Sequence, residues 1–271
     1  MTEKIKITCV VGTRPEAIKM APLVLALKNE SRFCVQVLAS GQHTDMLFQA
    51  LEDFGVKADV NLGIMKDRQT LDHITSAVLE GVGSFLDSTP QDLLLVHGDT
   101  TTTLAAALAG FYRKIPVGHV EAGLRSHDMN RPFPEEANRV LTDRITRLYF
   151  APTGQAAENL WAEGIEKSRV FVTGNTVIDA LFWTLAHSKE ARVLQAIPTG
   201  APLVLMTAHR RESWGEPLGQ ICLAVRRMLE KQPKLWILIP LHKNPVVRNT
   251  IMDGLRDLPR VVFSEPLDYP D

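Results

Sequence analysis

The stretch Ile5-Lys6-Ile7-Thr8-Cys9-Val10-Val11 runs straight into Gly12-Thr13-Arg14-Pro15-Glu16-Ala17-Ile18-Lys19-Met20-Ala21-Pro22. The first seven residues are largely apolar and rich in β-branched side chains, as in a strand buried on both faces. The residues after them change character at once. Thr13 and Glu16 have the spacing of a capping box, and Pro15 suits the first helical position. Pro22 falls inside the same helical period and is expected to kink or shorten that helix. A buried strand, a tight polar turn and a helix are the opening of a βαβ unit.

The pattern repeats along the chain. Strands are expected at Ile5–Val11, Cys34–Ala39, Asp92–Val96, Val117–Val120, Leu148–Phe150 and Val170–Thr173. Helices are expected between and after them, at Pro15–Lys28, Thr44–Phe54, Leu71–Asp87, Thr101–Phe111, Glu135–Thr146, Gly154–Glu163 and Val177–Leu185. Such alternation reads as an α/β fold with a parallel sheet covered on both faces. A Pro- and Gly-containing stretch, 188–200, then reads as a linker. The βα pattern restarts with strands at Leu203–Thr207, Leu235–Pro240 and Val261–Phe263 and helices at Leu218–Lys231 and Pro245–Leu255. The expected organisation is a Rossmann-like lobe over 1–187 and a second, partial one over 201–271. With three strands, the second reads as roughly the first half of a lobe.

Composition sets outer limits. The 271 residues are 45% hydrophobic and 23% charged, ordinary for a globular chain. Thirty Lys and Arg stand against 31 Asp and Glu, for a net charge of -1. That balance argues against nucleic-acid binding, which needs a basic surface. Cys9, Cys34 and Cys222 match no zinc spacing and no complete disulfide framework. No signal peptide opens the chain, and no apolar run is long enough to span a bilayer. A reduced, cytoplasmic protein without membrane attachment is expected.

Five polar clusters follow strand ends, where open parallel sheets bind ligands. They are Gly12–Lys19, Ser40–His43, His97–Thr103, His119–Arg125 and Ala208–Glu212. Each has a plainer reading alone. Thr runs cap helices, a single His after a strand is a satisfied loop residue, and Glu121 caps the next helix. A doubly wound sheet, however, would bring the clusters to one edge. Arg14, Lys19, Arg210 and Arg211 are then anion binders beside helix N-termini at Thr13 and Thr100. Asp99, Glu121, Glu135 and Glu136 supply carboxylates and His209 an imidazole. This mixture suits a phosphorylated substrate and proton transfer. The sequence has no P-loop, no G-x-G-x-x-G and no metal-ligand motif, so neither a metal nor an organic cofactor is expected.

Six motifs, in order, resemble those of the non-hydrolysing UDP-N-acetylglucosamine 2-epimerases. They are Gly12–Pro22, Val96–Thr103, Pro116–Arg125, Pro134–Arg139, Val172–Thr176 and Thr207–Glu212. The resemblance covers essentially the whole chain. It implies two Rossmann-like lobes of glycosyltransferase-B type with the ligand in the cleft between them. It also implies cofactor-free interconversion of UDP-GlcNAc and UDP-ManNAc by a homodimer, through elimination of UDP to a glycal. By the same resemblance Asp99, Glu121, Glu135 and His209 are catalytic, and Arg14, Lys19 and Arg210 bind substrate. A second UDP-GlcNAc, as activator, would meet Gln42, Arg68, Glu135, Arg210 and His242, although Asp45 stands where some activator sites have Gln. Two alternatives are a hydrolysing relative releasing ManNAc and UDP, and an inactive sugar-nucleotide-binding fragment.

Overall fold

The computed structural model describes residues 3–41, 44–66, 69–188, 191–208 and 215–270, with backbone alone at 44 and 45. They fall into two compact units, Met1–Ala186 and His187–Asp271.

The first unit alternates strands and helices. In order they are β1 (Ile5–Val11), α1 (Arg14–Asn29), β2 (Phe33–Ala39), α2 (Thr44–Asp53), β3 (Val60–Asn61), α3 (Leu71–Ser88) and β4 (Leu93–His97). Then follow α4 (Thr101–Tyr112), β5 (Val117–Val120), α5 (Glu135–Ile145), β6 (Leu148–Ala151), α6 (Gly154–Ala162), β7 (Val170–Val172) and α7 (Thr176–His187). The strands form one sheet in the order β3-β2-β1-β4-β5-β6-β7. Every pairing in it is parallel. Strand order reverses between β1 and β4, which register Ile7 against Leu93 and Cys9 against Leu95. A reversal of this kind opens a crevice beyond the strand C-termini.

Small residues let the layers approach closely. Ala105, Ala106, Ala107 and Ala109 of α4 are fully buried and pack into one cluster with Val78, Val82 and Leu86 of α3 and Leu94 and Val96 of β4. Gly110 lies so near Leu94 and Val117 that a methyl group there would sit 3.0 Å from Leu94 Cδ2. Each buried Val or Leu in this layer contributes roughly 1.5–3 kcal/mol relative to exposure.

The second unit carries β8 (Leu203–Leu205), α8 (Glu216–Lys231), β9 (Trp236–Pro240), α9 (Pro245–Leu255) and β10 (Val261–Ser264). Its sheet is parallel, in the order β10-β9-β8. Leu218, Cys222, Val225 and Leu229 of α8 pack with Ile237 and Ile239 of β9 and Val247 and Ile251 of α9. A five-residue 3-10 turn, Arg192–Ala196, lies in the stretch read as linker.

Several expectations are corrected. The strand at Val60–Asn61 has only two residues, too few to leave a pattern. Pro22 does not shorten α1, which continues to Asn29. Not all strands are buried on both faces. Phe171 and Val172 of β7 and Leu203 and Leu205 of β8 are exposed, because no described element covers them.

The cysteines separate by environment. Cys9 is buried, and burial pushes its thiol up to about 12, opposed by Lys28. Cys222 is also buried, and Cys34 is exposed. A native titration with a disulfide reagent is therefore expected to show one fast thiol, lost in Cys34→Ser; two or three fast thiols would contradict this packing.

Candidate functional site

The crevice at the β1/β4 reversal is organised around a buried acid. Glu16, in the first turn of α1, is 3% exposed. Its Oε2 accepts from the Gly12 N–H at 3.1 Å and from the Thr13 hydroxyl at 2.7 Å. Its Oε1 accepts from the Thr100 hydroxyl at 2.9 Å and lies 3.1 Å from Thr103 Oγ1. One carboxyl thus ties the turn after β1 to the turn after β4. Burial pushes it above the usual carboxylate range, opposed by Thr13, Thr100, Gly12 and Thr103. The expected capping box is altered: Thr13 is the N-cap, but its side chain caps no backbone N–H. It donates to Glu16 instead.

Glu121 follows β5 with φ of 69°, in the left-handed region that side chains normally avoid. The strain of such a residue, about 1–2 kcal/mol, persists only where surroundings hold it. Here both carboxylate oxygens lie 2.8 Å from Lys19 Nζ on α1. Asn175 Nδ2, just before α7, donates to Oε1 at 2.7 Å. Burial works against the charge, but Lys19 and Asn175 hold the carboxyl below its usual range, and His97 would add to this only if protonated.

His97 ends β4 and is 3% exposed, with Nε2 3.5 Å from Glu121 Oε2. Among the described residues neither ring nitrogen has a hydrogen-bond partner. Burial pushes the ring down from 6.5 to about 3, with Glu121 opposing and Lys19 and His119 assisting. It is therefore neutral at pH 7, which leaves Lys19 as the cation facing Glu121.

That state has a measurable cost. Below pH 6.5 the unfolded chain binds a proton that folded His97 refuses until about pH 3. Stability should fall across this window by up to about 1.4 kcal/mol per pH unit. His97→Gln is expected to lose less between pH 6.5 and 5 in urea melts. Equal losses in the two proteins would clear His97 of the effect.

Asp99 lies in the turn after β4. Its carboxylate pairs with Arg139 of α5, and its carbonyl accepts from Asn138 Nδ2 at 2.9 Å. Glu135 and Glu136 open α5 and diverge. Glu136 is buried and accepts from the Ser126 and His127 N–H groups at 2.9 and 3.0 Å, so it holds the loop before α5. Glu135 is half-buried and has no partner among the described residues. Arg14 is likewise half-buried, begins α1 and has no ion-pair partner there.

The structure thus brings Lys19, Glu121 and His97 together, with Asp99 two residues after His97 in sequence. Arg125, the last residue of the His119–Arg125 cluster, pairs with Asp143 at 2.8 Å and Glu163 at 2.7 Å. In the second unit His242 follows β9, and its Nδ1 accepts from the Asn244 N–H at 3.1 Å. Gln42, His43, Arg68, His209, Arg210, Arg211 and Glu212 lie outside the described residues, as does the Asp45 side chain. The sequence reading assigned no role to Asn175, Arg139 or Asp143. Asn175 and Arg139 carried a signal, their places in the Val172–Thr176 and Pro134–Arg139 motifs; Asp143 sits mid-helix with none.

Comparison with known proteins decides the family. A family model described as UDP-N-acetylglucosamine 2-epimerase matches residues 25–271. This chain belongs to the UDP-N-acetylglucosamine 2-epimerase family. It is 47% identical over 269 residues to the Bacillus subtilis UDP-N-acetylglucosamine 2-epimerase, covering 99% of this chain and 70% of that one. The crystal structure of the Neisseria meningitidis epimerase bound to UDP-GlcNAc is 45% identical, with a TM-score of 0.85 over 98% of this chain and 74% of that one. The Methanocaldococcus jannaschii epimerase in complex with UDP-GlcNAc and UDP is 32% identical, with a TM-score of 0.75 over 98% and 75%. Among the described residues no helix of this epimerase-family chain is long and apolar enough to cross a membrane.

Proposed function

We propose that this chain interconverts UDP-GlcNAc and UDP-ManNAc without a cofactor, by anti elimination of UDP to a glycal and re-addition. The observation that carries the reading is the Glu121 carboxylate, kept ionised by Lys19 and Asn175 at the end of β5 in a member of the epimerase family. Relatives of the same fold bind UDP-GlcNAc and UDP, which supports this substrate class.

The chemistry suits the residues. The C2 proton of the sugar is not acidic by itself. When the bond from C1 to the UDP oxygen breaks, its electron pair leaves with UDP and C1 becomes electron-poor. The C2 proton then passes to a carboxylate, and C1 and C2 form a double bond. Asp99, Glu121 and Glu135 are the carboxylates for this proton and for the one returned to the opposite face. UDP re-bonds to C1, so nothing is consumed. Arg14, which has no ion-pair partner among the described residues, and the N-terminus of α1 favour the departing pyrophosphate. The product would supply ManNAc units for a surface polysaccharide.

The test is incubation of the purified chain with UDP-GlcNAc in deuterated water. UDP-ManNAc carrying deuterium at C2 is expected. Absence of both product and label would overturn the reading, and equal release of ManNAc and UDP would replace it with hydrolysis.

A further inference from the structure

His119 lies in the middle of the sheet, on β5, with no exposed surface. Its Nε2 is 2.7 Å from the Gly98 carbonyl oxygen. A carbonyl oxygen only accepts, so Nε2 carries a proton. Its Nδ1 is 2.6 Å from Asp143 Oδ1 on α5. The other oxygen of Asp143 accepts from the Gly123 N–H at 3.2 Å and from Arg125 Nη2 at 2.8 Å. The Arg125 guanidinium beside it keeps Asp143 an ionised carboxylate, which also only accepts, so Nδ1 carries a proton as well. Burial opposes the Asp143 charge, yet His119 and Arg125 hold that carboxyl below its usual range. Among the described residues, His97 at the end of β4 is a further titratable group electrostatically coupled to the ring.

The two hydrogen bonds of the ring reach the reacting carboxylates by separate routes. The Gly98 carbonyl belongs to the peptide that leads into Asp99, where Gly98 has φ of 66°. Asp143 holds the His119 ring on one side of Glu121 and the Gly123 N–H on the other. The strained Glu121 backbone is therefore bracketed two residues away in each direction.

We propose that His119 is a doubly protonated positioning residue, which with Asp143 sets the Gly98–Asp99 peptide and the Glu121 backbone. Its catalytic consequence rests on the proposed epimerisation; its protonation does not. Long-range proton–nitrogen correlation spectra of the full chain, labelled at histidine nitrogens, read the ring directly. The His119 signals, identified by their loss in His119→Gln, are expected to show a proton on both nitrogens in the folded chain. A bare nitrogen would overturn the proposal; where the variant does not fold, sequential resonance assignment of the full chain identifies the ring instead.

The second arm is kinetic. Gln donates to one of the two acceptors at most. In His119→Gln, kcat per UDP-binding site is expected to fall about 100-fold, the scale of an ångström-sized misplacement. KM and UDP affinity should change less than about 3-fold, since neither acceptor is a substrate group. A merely structural role would lower kcat and the number of UDP-binding sites together, leaving kcat per site unchanged, and that result would overturn the positioning role. Failure of the native chain to turn over UDP-GlcNAc would sink the proposed function and remove the positioning role with it, while the ring signals would still decide the protonation.

Discussion

Glu121→Gln is expected to lower kcat by about 10²–10⁴-fold, the range carried by a general acid or base. Gln has the size of Glu and keeps an oxygen to accept from Asn175. It cannot take a proton and cannot neutralise Lys19. Lys19 is 23% exposed at its side chain, so its charge can be rehydrated when the pair is lost. The stability loss should therefore stay below about 2 kcal/mol, less than the 3–5 kcal/mol of a fully buried pair broken on one side. Turnover of UDP-GlcNAc and a urea melt on the same preparation separate the two effects. A wild-type rate would remove Glu121 from the chemistry.

Gly123→Ala is expected to cost roughly 3–5 kcal/mol, the sum of a left-handed side chain and an overpacked contact. Gly123 has φ of 84°, and a Cβ there would fall 2.2 Å from the Ala156 carbonyl oxygen and 2.9 Å from Leu160 Cγ. Relaxation is blocked from both sides. The Gly123 N–H is held by Asp143, and its carbonyl accepts from Asn159 Nδ2 at 2.9 Å. The obstacle is helix backbone, which cannot swing aside as a side chain can. A urea midpoint within 1 kcal/mol of wild type would show that α6 moves more freely than this packing allows.

The fold was legible where the chain carried strong periodicity. Ile5–Val11 has the same ends in sequence and structure, because seven strand-forming residues stop at a glycine turn. Val60–Asn61 could not be seen, since two residues carry no alternation. The site was legible in part and for a different reason. Lys19 and Glu121 stood out as charged residues after strands, but their pairing spans 102 positions and depends on the strand order. The capping-box pattern at Thr13 and Glu16 was visible, yet nothing local said that Thr100 and Thr103 would draw the same carboxyl across the sheet. Asp143 has the polarity of a surface helix residue and is buried, and only its partners His119 and Arg125 explain why.

The place of β1 between β2 and β4 also bears on how the chain is made. β2 emerges from the ribosome soon after β1 and can pair with it early. The other edge of β1 has no partner until Leu93–His97 appears, some eighty residues later. At cellular rates of synthesis that interval is on the order of ten seconds. For that time the nascent chain displays an open, apolar strand edge, the form most prone to pair with a neighbouring chain. Slower translation between α1 and β4 should therefore increase misassembly, while slowing after β4 should not.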